Sequence, residues 1–134
     1  MLRRISLIAA SAAMLALSAL PASAATMQSS THKLSFPALH GVTAWGNYVK
    51  TPKFIRVNVC AVDNARANFA VGAVAVGSNA NNTRKANLGA VAIGYHQKVC
   101  RSGLIRYTAH LHIYTFIAGN KGKIVKRSVY KKVY

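Results

Sequence analysis

Alternation of apolar and polar positions is sustained longest between Leu104 and Ala118 (LIRYTAHLHIYTFIA). In an extended chain Ile105, Tyr107, Ala109, Leu111, Ile113 and Ile117 fall on one side, with Arg106, Thr108, His110, His112 and Tyr114 on the other. That is the period of a strand with one buried side. Strands usually run for only a handful of residues, so one this long is expected to bend or to contribute to two sheets, its apolar side on the core.

The same period recurs upstream. Val42 to Lys50 reads as a first strand, Pro52 breaks it, and Phe54 to Val62 alternates with Ile55, Val57 and Val59 against Arg56, Asn58 and Cys60. Asp63-Asn64 is read as a turn. Phe69 to Gly77 and Leu88 to Gly94 are near copies: VGAVAVG from Val71 matches LGAVAIG from Leu88 at a spacing of 17 residues. They are expected to pair as a hairpin across the linker Ser78 to Asn87, with Arg84 and Lys85 at its tip. Their small side chains let another sheet or a ligand approach closely. Arg101-Ser102-Gly103 reads as a turn, Gly119 to Gly122 as a tight turn, and the Lys/Tyr/Val tail from Lys123 to Tyr134 as an edge strand that also fits helical spacing at Val125, Val129 and Val133. About six strands without a convincing helix predict an all-β domain, a small antiparallel β-sandwich or barrel.

The ends change the picture. Met1-Leu2-Arg3-Arg4, the apolar run Ile5 to Leu20 and Pro21-Ala-Ser-Ala24 are expected to be a secretory signal peptide (residues 1–24) cleaved after Ala24. The Ser/Thr-rich stretch 25–40 reads as a flexible leader, and residues 41–134 as a single domain. Removing 24 of 134 residues leaves 110, enough to bury roughly 60 to 65% of the unfolded surface. No later segment has the length of a membrane helix, so the product is expected to be freely secreted. In an oxidising compartment the only two cysteines, Cys60 and Cys100, are expected to pair. Closing that loop is worth roughly 4 kcal/mol in the chain-entropy description.

Charge supplies the strongest functional clue. Of 18 Lys and Arg residues, 16 remain without Arg3 and Arg4, against the single acid Asp63. So one-sided a surface favours polyanions: nucleic acid, anionic glycans, cell-wall polymers or anionic lipid. Cations hold phosphate or sulfate and aromatic faces stack on bases or sugars. The candidate surface is therefore Arg106, His110, His112 and Tyr114 on the long strand, with Lys121, Lys123, Lys126, Arg127, Tyr130, Lys131, Lys132 and Tyr134 from the turn and tail. The alternative use of the same residues is structural, with half-buried tyrosines and a lysine edge that serves only solubility.

Other chemistries fit less well. His110 and His112 share a strand face as a zinc pair would, but the third ligand, His96 or Asp63, is not placed by the sequence. No cofactor is expected. A metal-free nuclease using the two histidines with Lys98, Arg101 or Arg106 needs acid and base on opposite sides of a phosphate, whereas residues two apart on a strand point the same way. A glycosidase needs two carboxyl side chains, and only Asp63 is present. No Ser-His-Asp arrangement, phosphate-cradling loop or dinucleotide fingerprint occurs. The expectation is a non-enzymatic module for an anionic polymer or surface, the alternatives being a cationic antimicrobial or competition protein acting on membranes and a small nuclease.

Trp45-Gly-Asn-Tyr48, Val59-Cys-Ala-Val-Asp63, Gly89-Ala-Val-Ala-Ile-Gly-Tyr95 and the Lys/Tyr-rich end resemble small secreted actinobacterial proteins of unassigned function. That resemblance implies an exported bacterial protein and no activity. The paired GAVA[V/I]G segments are also faintly similar to head repeats of trimeric autotransporter adhesins, but only two copies occur, widely spaced.

Overall fold

The computed structural model describes residues 30–66, 69–119 and 121–134, so the expected signal peptide lies outside the described residues. Among the described residues there are nine strands where about six were expected: β1 (His32–Leu34), β2 (Val42–Lys50), β3 (Ile55–Asp63), β4 (Ala70–Ser78), β5 (Lys85–Ile93), β6 (Lys98–Ile105), β7 (His110–Ala118), β8 (Ile124–Arg127) and β9 (Lys131–Lys132). They form two antiparallel sheets, β1-β2-β3-β6 and β5-β4-β7-β8, with β9 also paired to β7. The fold is all-β and sandwich-like, with one disulfide.

The long alternating stretch does serve both sheets. β6 closes the first sheet at Ile105, residues 106–109 cross over, and β7 enters the second between β4 and β8. The apolar side leaves the core within the crossing, where Tyr107 is half-buried and Ala109 exposed, and returns to it after, since Ile105, Leu111 and Ile113 are all buried. They share one core cluster with Ile55, Val57, Val59 and Ala61 of β3 and with Ala73, Ala75 and Ala90 from the hairpin. Alternation on β3 and β7 thus joins into one apolar layer between the sheets, the main source of stabilisation at about 25 cal/mol per Å² of apolar surface removed from water.

The near-copy segments pair as expected, β4 with β5, with Val71 opposite Ala92 and Ala75 opposite Leu88. Their loop is shorter than the Ser78–Asn87 linker because Asn79 closes it from both ends: its backbone N–H donates to Arg84 O at 3.1 Å and its Oδ1 accepts from Arg84 N at 2.9 Å. β5 therefore starts at Lys85, which is a strand residue and not part of the tip.

Three expectations are corrected. The 25–40 leader is not structureless throughout, because His32–Leu34 pairs with β2 and buries Leu34 in the core. Arg101-Ser102-Gly103 is not a turn. It continues β6 opposite Val59, Asn58 and Val57, Ser102 Oγ donates to Asn58 Oδ1 at 2.9 Å, and the missing side chain of Gly103 leaves room for Leu88. The tail is neither a helix nor one strand. Its register shifts beside Ile117 and Ala118, and Ser128 separates β8 from β9, its Oγ accepting from Thr115 N at 2.9 Å.

Candidate functional site

The outward face of the second sheet collects the aromatic side chains of β7 and the tail. On β4 and β7 the even-numbered residues point outward, and Gly72, Val74 and Val76 lie opposite Phe116, Tyr114 and His112. Gly72 is needed because a Cβ there would strike the ring of Phe116 and stand 2.9 Å from Ala90 O. Without it the Phe116 ring lies down over the sheet, and with Tyr114 it covers Val74 and Val76 as a small outer cluster. Tyr114 follows Phe116 at 6.3 Å between centroids, Tyr130 follows Tyr114 at 5.8 Å, and His112 stacks on Tyr130 at 4.6 Å. Four rings from β7 and the segment after β8 thus make one continuous row.

Cations border this row. The Arg127 guanidinium lies 4.9 Å over the ring of Tyr114, a placement that leaves its N–H groups available at the ring edge. Lys132 pairs directly with His112 across β7 and β9. Lys85 pairs with Ser78, which in turn pairs with His110, so the three lie in one cross-strand row. Electrostatics follow from this crowding. The His112 imidazole is held below its ordinary pKa first by burial and then by the positive charges of His110, Lys132 and Lys85. The Tyr130 hydroxyl is pushed up by burial and by Tyr114, against the lowering effect of Arg127. Asp63, the only acidic residue, is fully buried at the end of β3 in the other sheet, with Oδ1 accepting from Ala65 N at 2.8 Å. Nothing on the aromatic face offsets its positive charge.

Of the twelve residues singled out from the sequence, His110, His112, Tyr114, Arg127, Tyr130 and Lys132 come together here. The remaining six do not join them. Arg106 lies on the crossover, and Lys121 and Lys123 in the segment between β7 and β8. Lys126 pairs with Ile117 and points to the side of β8 opposite Arg127. Lys131 is tied down, its Nζ donating to Ser35 O at 2.9 Å. Tyr134 turns inward: its ring packs on Tyr48 at 5.7 Å under the ammonium of Lys50. Its hydroxyl is buried without a hydrogen-bond partner among the described residues, and burial, with Tyr48, pushes its pKa up to about 12. Phe116 and Lys85 were missed. Phe116 breaks the parity of the long strand, and Lys85 reads as loop until the loop is known to close at Arg84.

His110 and His112 share a face as expected, but each is otherwise engaged, His110 Nε2 with Ala80 O at 3.2 Å and His112 with Tyr130. Among the described residues no three His, Cys, Asp or Glu side chains converge as metal ligands. The exposed apolar side chains Val91 and Ile93 of β5 extend the face beyond Gly72, Ile93 with 73% of its surface open. Comparison with protein-family models, with curated proteins and with solved structures found no match to this chain.

Proposed function

We propose that this is an exported, non-enzymatic binding module that holds an anionic polymer against the outward face of the β5-β4-β7-β8 sheet. The observation that carries the reading is the row His112, Tyr130, Tyr114 and Phe116 bordered by Arg127, Lys132 and Lys85. A basic groove lined by aromatic faces is the arrangement that tolerates sequence while tracking a polyanion backbone, each stacked ring contributing about 1–3 kcal/mol. Export agrees with the Cys60–Cys100 disulfide, since such bonds persist in oxidising compartments.

The test is cosedimentation of the protein with cell-wall polymer, DNA and anionic vesicles at low and high salt. Polymer binding that collapses as salt rises supports the reading, because neutralising each phosphate releases counterions. Binding indifferent to salt, or none at low salt, refutes it. The membrane reading has one observation in its favour, the open side chain of Ile93 on the same face. It requires that anionic vesicles leak their contents at micromolar protein.

A further inference from the structure

A concavity opens at one end of the sandwich, where β2 begins, β3 ends and β8 passes β7. Its volume is about 570 Å³, within the range of about 300–1,000 Å³ typical of small-molecule sites. Phe69, Ile117 and Val125 make its apolar wall, and His40, Arg66 and Lys126 supply its polar rim. Gly41 keeps the floor clear: a Cβ there would lie 3.3 Å from Ala65 Cβ and 3.7 Å from Ile117 Cδ1, and its φ of +94° suits glycine. No carboxyl group lines it.

Apolar wall and cationic rim together select for a ligand with both characters. Phe69 and Val125 are 37% and 66% open to water, so an apolar body placed against them removes surface that folding left uncovered. A carboxylate or comparable head at the rim meets two permanent cations, and charge-assisted bonds of that kind are the stronger ones. A metal cation or a cationic amine finds no acidic partner there. We infer that this groove binds a small amphiphilic anion: one anionic head on an apolar body the size of a medium-length alkyl chain or an aromatic ring. The site is separate from the aromatic face, since Lys126 and Arg127 point to opposite sides of β8, and it stands whether or not that face binds polymer.

Octanoate is the probe, titrated into nitrogen-15-labelled protein, with octanol, acetate and anionic phospholipid vesicles as separate arms. The expected result is saturable binding of one octanoate, with amide shifts concentrated at Gly41, Asn64, Phe69, Ile117 and Val125. Octanol and acetate, each lacking one half of the ligand, bind at least tenfold more weakly. Substituting Arg66→Gln with Lys126→Gln weakens octanoate about tenfold, the order expected for losing a charge-assisted bond. Phe69→Ser weakens it severalfold. Each variant is checked for an unchanged amide spectrum away from the groove, so loss of fold is not mistaken for loss of binding. Shifts that spread over the lysine-rich surface without saturating overturn the proposal, as does octanol binding as tightly as octanoate. Preference for vesicles over free octanoate overturns it too, since the groove is then a patch of membrane-contacting surface.

Discussion

Tyr130 lies flat against His112, with centroids 4.6 Å apart and planes 13° from parallel. The stack holds a titratable ring in a positive environment, because His110, Lys132 and Lys85 all oppose its protonation. With a folded pKa below the unfolded one, neutral His112 contributes stability above about pH 6.5, lost as pH falls from there through the lowered folded value. A bound polyanion acts in the opposite direction, its negative charge offsetting those cations while the effect of burial remains. The His112 Cε1 proton resonance is therefore expected to titrate at a higher pH with polymer present than without it. By linkage, polymer binding strengthens on acidification, and His112→Ala removes most of that pH dependence. An identical His112 titration with and without saturating polymer rules out contact at this face.

Arg127 and Lys132 border the aromatic row, whereas Lys131 is bonded to Ser35 O. Three neighbouring tail cations are thus predicted to act unequally. Arg127→Ala and Lys132→Ala should each lower the slope of log K against log salt by about one, the value for one phosphate contact. Lys131→Ala should change the slope little. Equal effects from all three, measured by salt titrations, would mean that the polymer reads overall charge and not this face.

How much of this was legible depends on how many residues repeat a pattern. The long stretch from Leu104 declares itself because Ile105, Leu111 and Ile113 keep one parity across the crossing between sheets and all are buried. β1 does not, since three residues with a single core side chain, Leu34, carry no period. The turn read at Arg101-Ser102-Gly103 failed because turn-forming residues are also tolerated on an edge strand, where Gly103 serves the approach of Leu88. At the site, His110, His112 and Tyr114 were legible as one strand face. The tail was not, because a register shift near Ile117 and the break at Ser128 reset its parity. Two tyrosines four residues apart, Tyr130 and Tyr134, thus end on opposite sides of the sheet. Phe116 was hidden for a related reason, since its burial depends on Gly72 in a different strand.

Tyr134 carries the clearest alkaline signature. Its hydroxyl is buried without a partner among the described residues, and burial together with Tyr48 raises its pKa to about 12, above the ordinary value of 10.0. A raised folded pKa means the neutral phenol is the form the fold accepts. Its contribution is complete below pH 10 and is lost as pH rises toward 12. Tyr134→Phe removes a buried hydroxyl that has no hydrogen bond to lose, so stability at pH 7 is expected to be unchanged or slightly higher. It should also flatten the loss of stability between about pH 10 and 12, apart from what other tyrosines contribute. Chemical denaturation of both proteins across that range decides it. A substantial loss at neutral pH would show that the hydroxyl is satisfied in solution.

Cys60 and Cys100 stand directly opposite each other, joining central β3 to edge strand β6 across a sequence separation of 40. The bond closes a long loop, yet β6 has other means of staying in place. Its register with β3 runs unbroken from Lys98 to Ile105, and Ile105 is buried in the core at its far end. The disulfide is therefore expected to act chiefly on the unfolded chain. Replacing both cysteines by alanine should cost about 3–4 kcal/mol while leaving the amide spectrum of β6 recognisable and polymer binding intact. Released from its cross-link, the unfolded chain exposes more surface, so the denaturant m-value should rise. A small loss with an unchanged m-value would mean that the unfolded chain is already compact without the bond. Selective loss of protection in β6 would instead place the effect in the folded state, with Cys100 as the clamp that holds an exposed edge strand to the sheet.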